Sequence, residues 1–453
     1  MTQDPDHFTS AARASPGVAS PQAGPLLSPS TRPAFRALPP LSLYIHIPFC
    51  ARKCPYCDFN SHEARGALPE ERYVAALVTD LEQALPLVWG RRVGSVFFGG
   101  GTPSLFSARS IDAVLAAVRA RLPLAADAEV SLEANPGTFE ADKFREFRAA
   151  GVNRLSIGVQ SFNPAHLKAL GRIHDDAEAR RAIEFARRDF DNMNLDLMYG
   201  LPGQTLKEAR ADLDSALAFD VPHLSCYHLT IEPNTYFHRF PPQLPDDDTA
   251  DVMQDTIESR LAEAGYDHYE VSAYARRRKE RSDRREEEKA LRDAERPSLL
   301  SPFSSPAGAA AAAYCRHNLN YWQFGDYLGI GAGAHGKISF PDRIVRQTRV
   351  KHPEGYMKAV EQGAPVAEER AVAAGELGFE FMMNALRLNG GFPVRLIEER
   401  AGVPLTAVLG DLDEAERRGF ITRDHERIAP TELGRRFLND VLQIFLPPAT
   451  GGQ

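Results

Sequence analysis

From residue 41 to residue 275 the apolar positions alternate between short continuous runs and longer stretches with helical spacing, the pattern of strand followed by helix. Leu41–Ile47 reads as a buried strand, and Glu70–Val88 as a helix with Tyr73, Leu77, Leu81 and Leu85 on one face. The same order repeats: strand Val93–Phe98, helix Ile111–Leu122, strand Glu129–Glu133, and helix Lys143–Ala150, which Gly151 closes. Strand Arg154–Val159, helix Asp176–Arg188, strand Asn194–Met198 and helix Leu206–Phe219 follow. Strand His223–Thr230, helix Thr249–Ala264 and a final strand Tyr269–Tyr274 complete the series. Such alternation builds an α/β fold with a parallel sheet. Six repeats after the first strand predict a partial (β/α)6 barrel over residues 40–275, whose lateral opening admits a large substrate.

Outside that stretch the pattern changes. Residues 1–39 are rich in Ala, Pro and Ser with no apolar period, which predicts disorder. Residues 276–296 are almost wholly charged, and turn formers and an alanine run extend to 313; this reads as a surface insertion. Order resumes in a connecting region, 314–366, with His317-Asn318-Leu319-Asn320-Tyr321-Trp322 and the glycine-rich 329–336. From 367 to 446 helices and short links predominate: Glu376–Leu388, Val394–Ala401, Leu405–Arg418 and Thr431–Phe445, with two short strand-like pieces at 420–422 and 427–429. That combination predicts a mostly helical, winged-helix-like domain, followed by a tail at 447–453.

The chain of 453 residues carries a net charge of −8, so nothing draws it as a whole to nucleic acid or anionic lipid. The C-terminal module is not notably basic, which favours a docking or lid role over DNA binding. No apolar run approaches a membrane span. The acidic start lacks the basic-then-apolar order of a secretion signal, and five cysteines suit a reducing compartment, so the expected location is cytoplasmic.

Three of those cysteines, Cys50, Cys54 and Cys57, stand at C-x3-C-x2-C spacing just after the first strand. Soft thiolates suit iron–sulfur chemistry, and three of them leave one corner of a four-iron cube free to chelate a small molecule. A structural zinc site would want four ligands in paired halves, and the chain has no second pair. Gly99-Gly100-Gly101-Thr102 follows a strand directly, where glycines let backbone approach a ligand, although such a run also serves as a tight turn. Glu133, Gln160, Arg172 and Asp196 each lie at or soon after a strand end. There carboxylates accept from hydroxyl or ammonium groups and an arginine pairs with a carboxylate; any one alone reads equally as a strand-end cap or surface ion pair, but their joint placement around one rim favours a site.

The cysteine motif, with an aromatic before the third cysteine, resembles the signature of the radical S-adenosylmethionine (SAM) superfamily. His46-Ile47-Pro48-Phe49-Cys50, Gly100-Gly101-Thr102-Pro103-Ser104, Glu133-Ala134-Asn135-Pro136, Gln160-Ser161-Phe162, Asp196-Leu197-Met198-Tyr199-Gly200-Leu201-Pro202, Tyr227-His228-Leu229-Thr230-Ile231-Glu232-Pro233 and the string at 317–322 together resemble the oxygen-independent coproporphyrinogen III oxidase family, nearest its heme-chaperone branch. The resemblance covers residues 40–275 and 314–446. It implies a 4Fe-4S cluster on Cys50, Cys54 and Cys57. It also implies SAM contacts from Tyr44, Tyr56, Gly100, Gly101, Thr102, Glu133, Gln160, Arg172 and Asp196. Heme would be bound with His317 as candidate ligand and delivered to acceptor proteins, membrane-associated respiratory enzymes among them. The oxidase carries a further cysteine two residues after the third ligand, where this chain has Phe59, and it has an ordered N-terminal segment. The alternative is an oxidase-like enzyme of porphyrin biosynthesis that oxidatively decarboxylates coproporphyrinogen propionates through a 5′-deoxyadenosyl radical. For His317 the alternative is a buried histidine inside an aromatic cluster. Cys226, His228, Cys315 and His335 read as packing residues before ligands.

Overall fold

The computed structural model describes residues 33–138, 141–277 and 314–447; what the sequence predicts for the N-terminal extension up to residue 32, for 278–313 of the charged insertion and for the tail from 448 lies outside the described residues. Six strands lie parallel and in chain order: β1 (Leu41–Ile47), β2 (Val93–Gly100), β3 (Leu124–Ala134), β4 (Arg154–Gln160), β5 (Met193–Tyr199) and β6 (His223–His228). Helices α1 (Glu70–Ala84), α2 (Ala108–Arg121), α3 (Ala141–Ala150), α4 (Asp176–Asp189) and α5 (Leu206–Leu217) make the crossovers, and α6 (Asp247–Glu263) follows β6. The architecture is the expected α/β partial barrel with a separate C-terminal unit.

Period-two alternation sorts each strand into two faces. On β1, Leu41, Leu43, Ile45 and Ile47 are at most 1% exposed and join the main apolar core beneath the helices. Ser42, Tyr44 and His46 point the other way, into the barrel. The helices meet that core with stripes of their own, as in α4, which buries Ala179, Ala182, Ile183 and Ala186. Reciprocal capping boxes, Asp175 with Glu178 and Thr205 with Glu208, start α4 and α5 by satisfying N–H groups that the first turn leaves open.

Two features depart from the sequence pattern. Tyr269–Tyr274 is not one strand but the middle of an antiparallel hairpin, β7 (Tyr266–Glu270) and β8 (Ala273–Arg276), with β8 on the edge of β6. The turn falls at Val271 and Ser272, which lack the usual glycine or proline marker. On the opposite edge, residues 314–371 hold helix α7 (Arg316–Trp322), strands β9 (Asp326–Ile330), β10 (His335–Phe340) and β11 (Arg343–Arg349), helix α8 (Pro353–Glu361) and strand β12 (Val366–Ala371), which extends past the predicted boundary at 366. β9 runs parallel to β1, with Leu41 opposite Asp326 and Ile45 opposite Ile330, and the next three continue antiparallel. The described sheet therefore has twelve strands, seven of them a continuous parallel set.

The C-terminal unit packs α9 (Leu377–Ala385), α10 (Leu409–Arg417) and a closing helix, Leu438–Ile444, around Phe381, Ile397, Leu412 and Val441. Phe392–Pro393, Ile421–Arg423 and Arg427–Pro430 form a three-stranded wing. The helix predicted at Val394–Ala401 is a single π-helical turn, Ile397–Ala401, ended by left-handed Gly402.

Candidate functional site

The cysteine loop leaves the end of β1 and returns within eleven residues. Phe49–Cys50 pairs in parallel with His62–Glu63, and Ala64 N donates to Cys50 O at 2.8 Å, so the loop is pinched at its base. Cys50, Cys54 and Cys57 are free thiols. The sulfurs have weak partners: Thr102 Oγ1 donates to Cys50 at 3.6 Å, Arg172 Nη1 to Cys54 at 3.8 Å, and Ser61 Oγ lies 3.7 Å from Cys57. Burial pushes the Cys50 and Cys57 thiols up. A small cavity beside Cys54 is lined by Ala51, Arg52, Thr102, Asn135, Gly171, Arg172 and Ile173. Among the described residues no three His, Cys, Asp or Glu side chains converge as one metal ion requires. A four-iron cube takes each thiolate on a different iron, so three soft donors spread along one loop fit it.

The glycine run at the end of β2 lies against this loop. Gly101 N donates to Ile47 O at 2.9 Å and Thr102 N to Phe49 O at 2.8 Å, extending the β1–β2 pairing into the site. Gly100 sits at φ +117°, and a Cβ there would stand 2.6 Å from the His46 ring, so only glycine fits. Its N–H donates to Glu133 Oε2 at 3.1 Å. Burial first, then the neighbouring Asp196, raises the Glu133 carboxyl to about 8. Asp196 accepts from Ser156 Oγ (3.0 Å) and Asn194 Nδ2 (2.7 Å), and burial raises it too. Two raised carboxyls side by side mark a place where a cation or hydroxyl ligand would be welcome.

Gln160 ends β4 at φ +68°, a strained conformation for a residue with a side chain. Its amide and the Arg172 guanidinium both lie over Gly158, and Arg172 Nη2 donates to Gly158 O at 2.7 Å. Tyr56 is beside Arg172 and packs on the small apolar cluster of Leu170, Met198 and Leu201. Tyr44 is held by its hydroxyl, 2.9 Å from His46 Nδ1. His46 Nε2 lies 2.9 Å from Asn60 O, which can only accept, so Nε2 carries the proton and Tyr44 donates to Nδ1. The residues predicted for the cluster and SAM are thus gathered at the carboxyl ends of β1–β5.

His317 lies inside the barrel, beside Tyr44. Its ring stacks on Phe97 at 4.7 Å and on Tyr44 at 6.1 Å, and its Nδ1 has no hydrogen-bond partner. Burial and the Arg154 guanidinium pull the imidazole down to about 4. Cys226 and Cys315 are buried, each with its thiol pushed up to about 12. His228 packs on Tyr199, and His335 begins β10 next to Thr348.

Sequence reasoning passed over His46, Asn60 and Arg154. His46 and Arg154 share the barrel-facing parity of their strands with Tyr44 and Ser156, a signal that was available. Asn60 gave none locally: its Nδ2 donates to Ala332 O and Lys351 O, tying the loop to the glycine-rich segment after β9. There Gly331, at φ +103°, lets the backbone approach His46 O to a distance a Cβ would forbid.

A model of the radical SAM superfamily matches residues 44–216, and one of the HemN C-terminal domain matches 372–437. The heme chaperone HemW of Escherichia coli (strain K12) is 47% identical over 411 residues, covering 90% of this chain and 99% of that protein. The heme chaperone HemW of Haemophilus influenzae is 43% identical over 415 residues, with 90% and 98% covered. Among solved structures, the coproporphyrinogen III oxidase HemN of Escherichia coli, a radical SAM enzyme, matches with a TM-score of 0.70 at 26% identity over 90% of both chains.

Proposed function

The chain belongs to the radical SAM superfamily and, within it, to the heme chaperone HemW family, and from that premise we propose that it binds heme and passes it to acceptor proteins. Cys50, Cys54 and Cys57 hold a 4Fe-4S cluster in this reading. SAM lies on Tyr44, Tyr56, Gly100, Gly101, Thr102, Glu133, Gln160, Arg172 and Asp196. When bound, the cluster supplies an electron and an open iron for the amino-acid end of SAM. The glycine run brings backbone close to that end, and Arg172 answers a carboxylate. Glu133 and Asp196 accept from ammonium or ribose hydroxyl groups. His317 remains the candidate heme ligand, and because its ring faces the barrel interior, heme ligated there would have to enter the lumen. The acceptors are expected to include membrane-associated respiratory enzymes, and the work to be cytoplasmic. No described helix is long and apolar enough to cross a membrane.

The observation that carries the reading is identity of 47% over 99% of a heme chaperone, spanning barrel and C-terminal unit together. Phe59 supports it: at the position of the oxidase's extra cysteine it is 61% exposed, so no fourth thiol stands at the loop's rim. The likeness to HemN favours a second reading, an oxidase-like enzyme acting on coproporphyrinogen. One experiment separates them. Reconstituted protein is titrated with hemin and incubated with coproporphyrinogen, SAM and reductant. The chaperone reading expects hemin binding near one equivalent, a perturbed heme spectrum in His317→Ala with the cluster retained, and no protoporphyrinogen. Catalytic turnover to protoporphyrinogen, with hemin bound only loosely and regardless of His317, would establish the oxidase instead.

A further inference from the structure

Arg154 opens β4 with its side chain inside the barrel, since Leu155, Ile157 and Val159 take the fully buried helix-facing positions. It is 2% exposed, and its Nε has no hydrogen-bond partner. A guanidinium does not shed its proton in a protein, so this charge has to be answered where it stands. Glu129 and Asp196 offset it through space, but both are engaged. Glu129 Oε1 accepts the backbone N–H groups of Arg316 (3.0 Å) and His317 (3.4 Å), and Asp196 accepts from Ser156 and Asn194.

A second unpartnered nitrogen faces the same interior: His317 Nδ1, on a ring that Phe97 holds in place. Toward the floor of the barrel, Asn320 of α7 donates to Ser42 Oγ at 2.9 Å and Ser42 bonds Ser95 at 2.7 Å, so these three groups are engaged with one another. A guanidinium that seeks a carboxylate and an imidazole that seeks a metal therefore share one interior, close enough for the Arg154 charge to act on the His317 ring through space. Those are the two chemistries a heme carries, in its propionates and its iron.

We infer that the lumen floor is a ligand subsite in which Arg154 receives a carboxylate arm of the molecule entering the barrel, a propionate in the case of heme. This rests on the heme reading above. A planar, singly charged carboxylate matches the guanidinium fork. A doubly charged phosphate would meet about twice the repulsion from Glu129 and Asp196 that a singly charged carboxylate meets in a low-dielectric interior. Bridging water is the competing occupant.

Hemin and hemin dimethyl ester, whose propionates cannot ionise, are titrated into full-length, cluster-loaded wild type, Arg154→Gln and Arg154→Lys. Wild type should prefer hemin to the ester by about 10- to 100-fold, the range for a hydrogen-bonded buried charge. In Arg154→Gln that preference should collapse while ester affinity stays at the wild-type value, and Arg154→Lys should recover part of it. Iron content and melting temperature, read on the same samples, separate loss of the subsite from loss of fold. Equal binding of hemin and ester by wild type, or equal weakening of both by Arg154→Gln, overturns the subsite and leaves heme binding intact. Binding of neither by wild type removes the heme reading, and the subsite with it.

Discussion

The barrel interior and the junction on the outer edge of β1 both bury charge, and they do so in opposite ways. At the junction, Asp326 (0% exposed) accepts from Lys337 Nζ (2.9 Å), Ser339 N (2.9 Å) and Ser339 Oγ (2.8 Å), and pairs with Arg91 at 2.7 Å. Burial alone would raise its carboxyl, yet Lys337 and Arg91 hold it below the usual range. Nearby, Asp80 gathers Arg349 (2.9 Å), Tyr356 (2.8 Å) and Gly331 N (3.2 Å). In the interior, Arg154, Arg172 and His317 each keep a nitrogen with no partner. The junction meets each buried carboxylate with several donors and so holds strands together, whereas the interior leaves cationic and imidazole nitrogens without an acceptor.

Four experiments press on that difference, in falling order of effect. Replacing Cys50, Cys54 or Cys57 with Ala should abolish the 4Fe-4S absorbance after anaerobic reconstitution; a full cluster in the triple variant would remove the basis for assigning the loop. Asp326→Ala strands Lys337 at 1% exposure and should cost about 3–5 kcal/mol in urea unfolding, as broken buried pairs do. A loss below about 1 kcal/mol, the range of surface pairs, would mean the junction is not held by its charges.

Glu270 shows a third way to bury an acid, by keeping its proton. Burial raises its carboxyl from the ordinary 4.5 to about 7. The folded state then holds a proton that the unfolded chain releases above pH 4.5. Its contribution is complete below that pH and disappears as pH climbs through 7. The stability of wild type relative to Glu270→Gln should fall by on the order of 2–3 kcal/mol from pH 4.5 to 7.5. A difference flat with pH would show that Glu270 ionises in the folded state as it does in the unfolded chain. The smallest effect belongs to Arg154→Met, which removes a charge offset only through space rather than a hydrogen-bonded pair. Its melting free energy should stay within about 1 kcal/mol of wild type, in contrast to Asp326→Ala. A loss as large as that of Asp326→Ala would make Arg154 a structural member of the core.

The strands β1 to β6 were legible because each is a compact apolar run bounded by turn residues, and the cysteine loop because its spacing has few other uses. The glycine run was legible as a ligand loop only through its position after β2. What sequence did not disclose depends on distant partners. Nothing in Asp326–Ile330 says that it will lie beside Leu41–Ile45, because pairing across so many residues leaves no local trace. Lys337 looks like a surface residue until Asp326 is brought to it. Arg154, first in its strand, looks like an edge charge, and only the parity shared with Ser156 and Gly158 turns it inward. The hairpin at 266–276 was read as one strand because Val271-Ser272 carries no turn signature.

The pairing of β9 with β1 also has a consequence in time. The cysteine loop is made early in synthesis, but Asn60 reaches its acceptor at Ala332 across 272 residues of later chain. At about 5–20 residues per second that wall arrives tens of seconds after the cysteines leave the ribosome. Contacts so far apart in sequence also form late in folding, since their loop-closure entropy has to be met first. Until then Cys50, Cys54 and Cys57 sit on a loop without its supporting face. Any cluster loading that needs this face would therefore follow translation, and a nascent chain stalled before Ala332 would present three thiols without it.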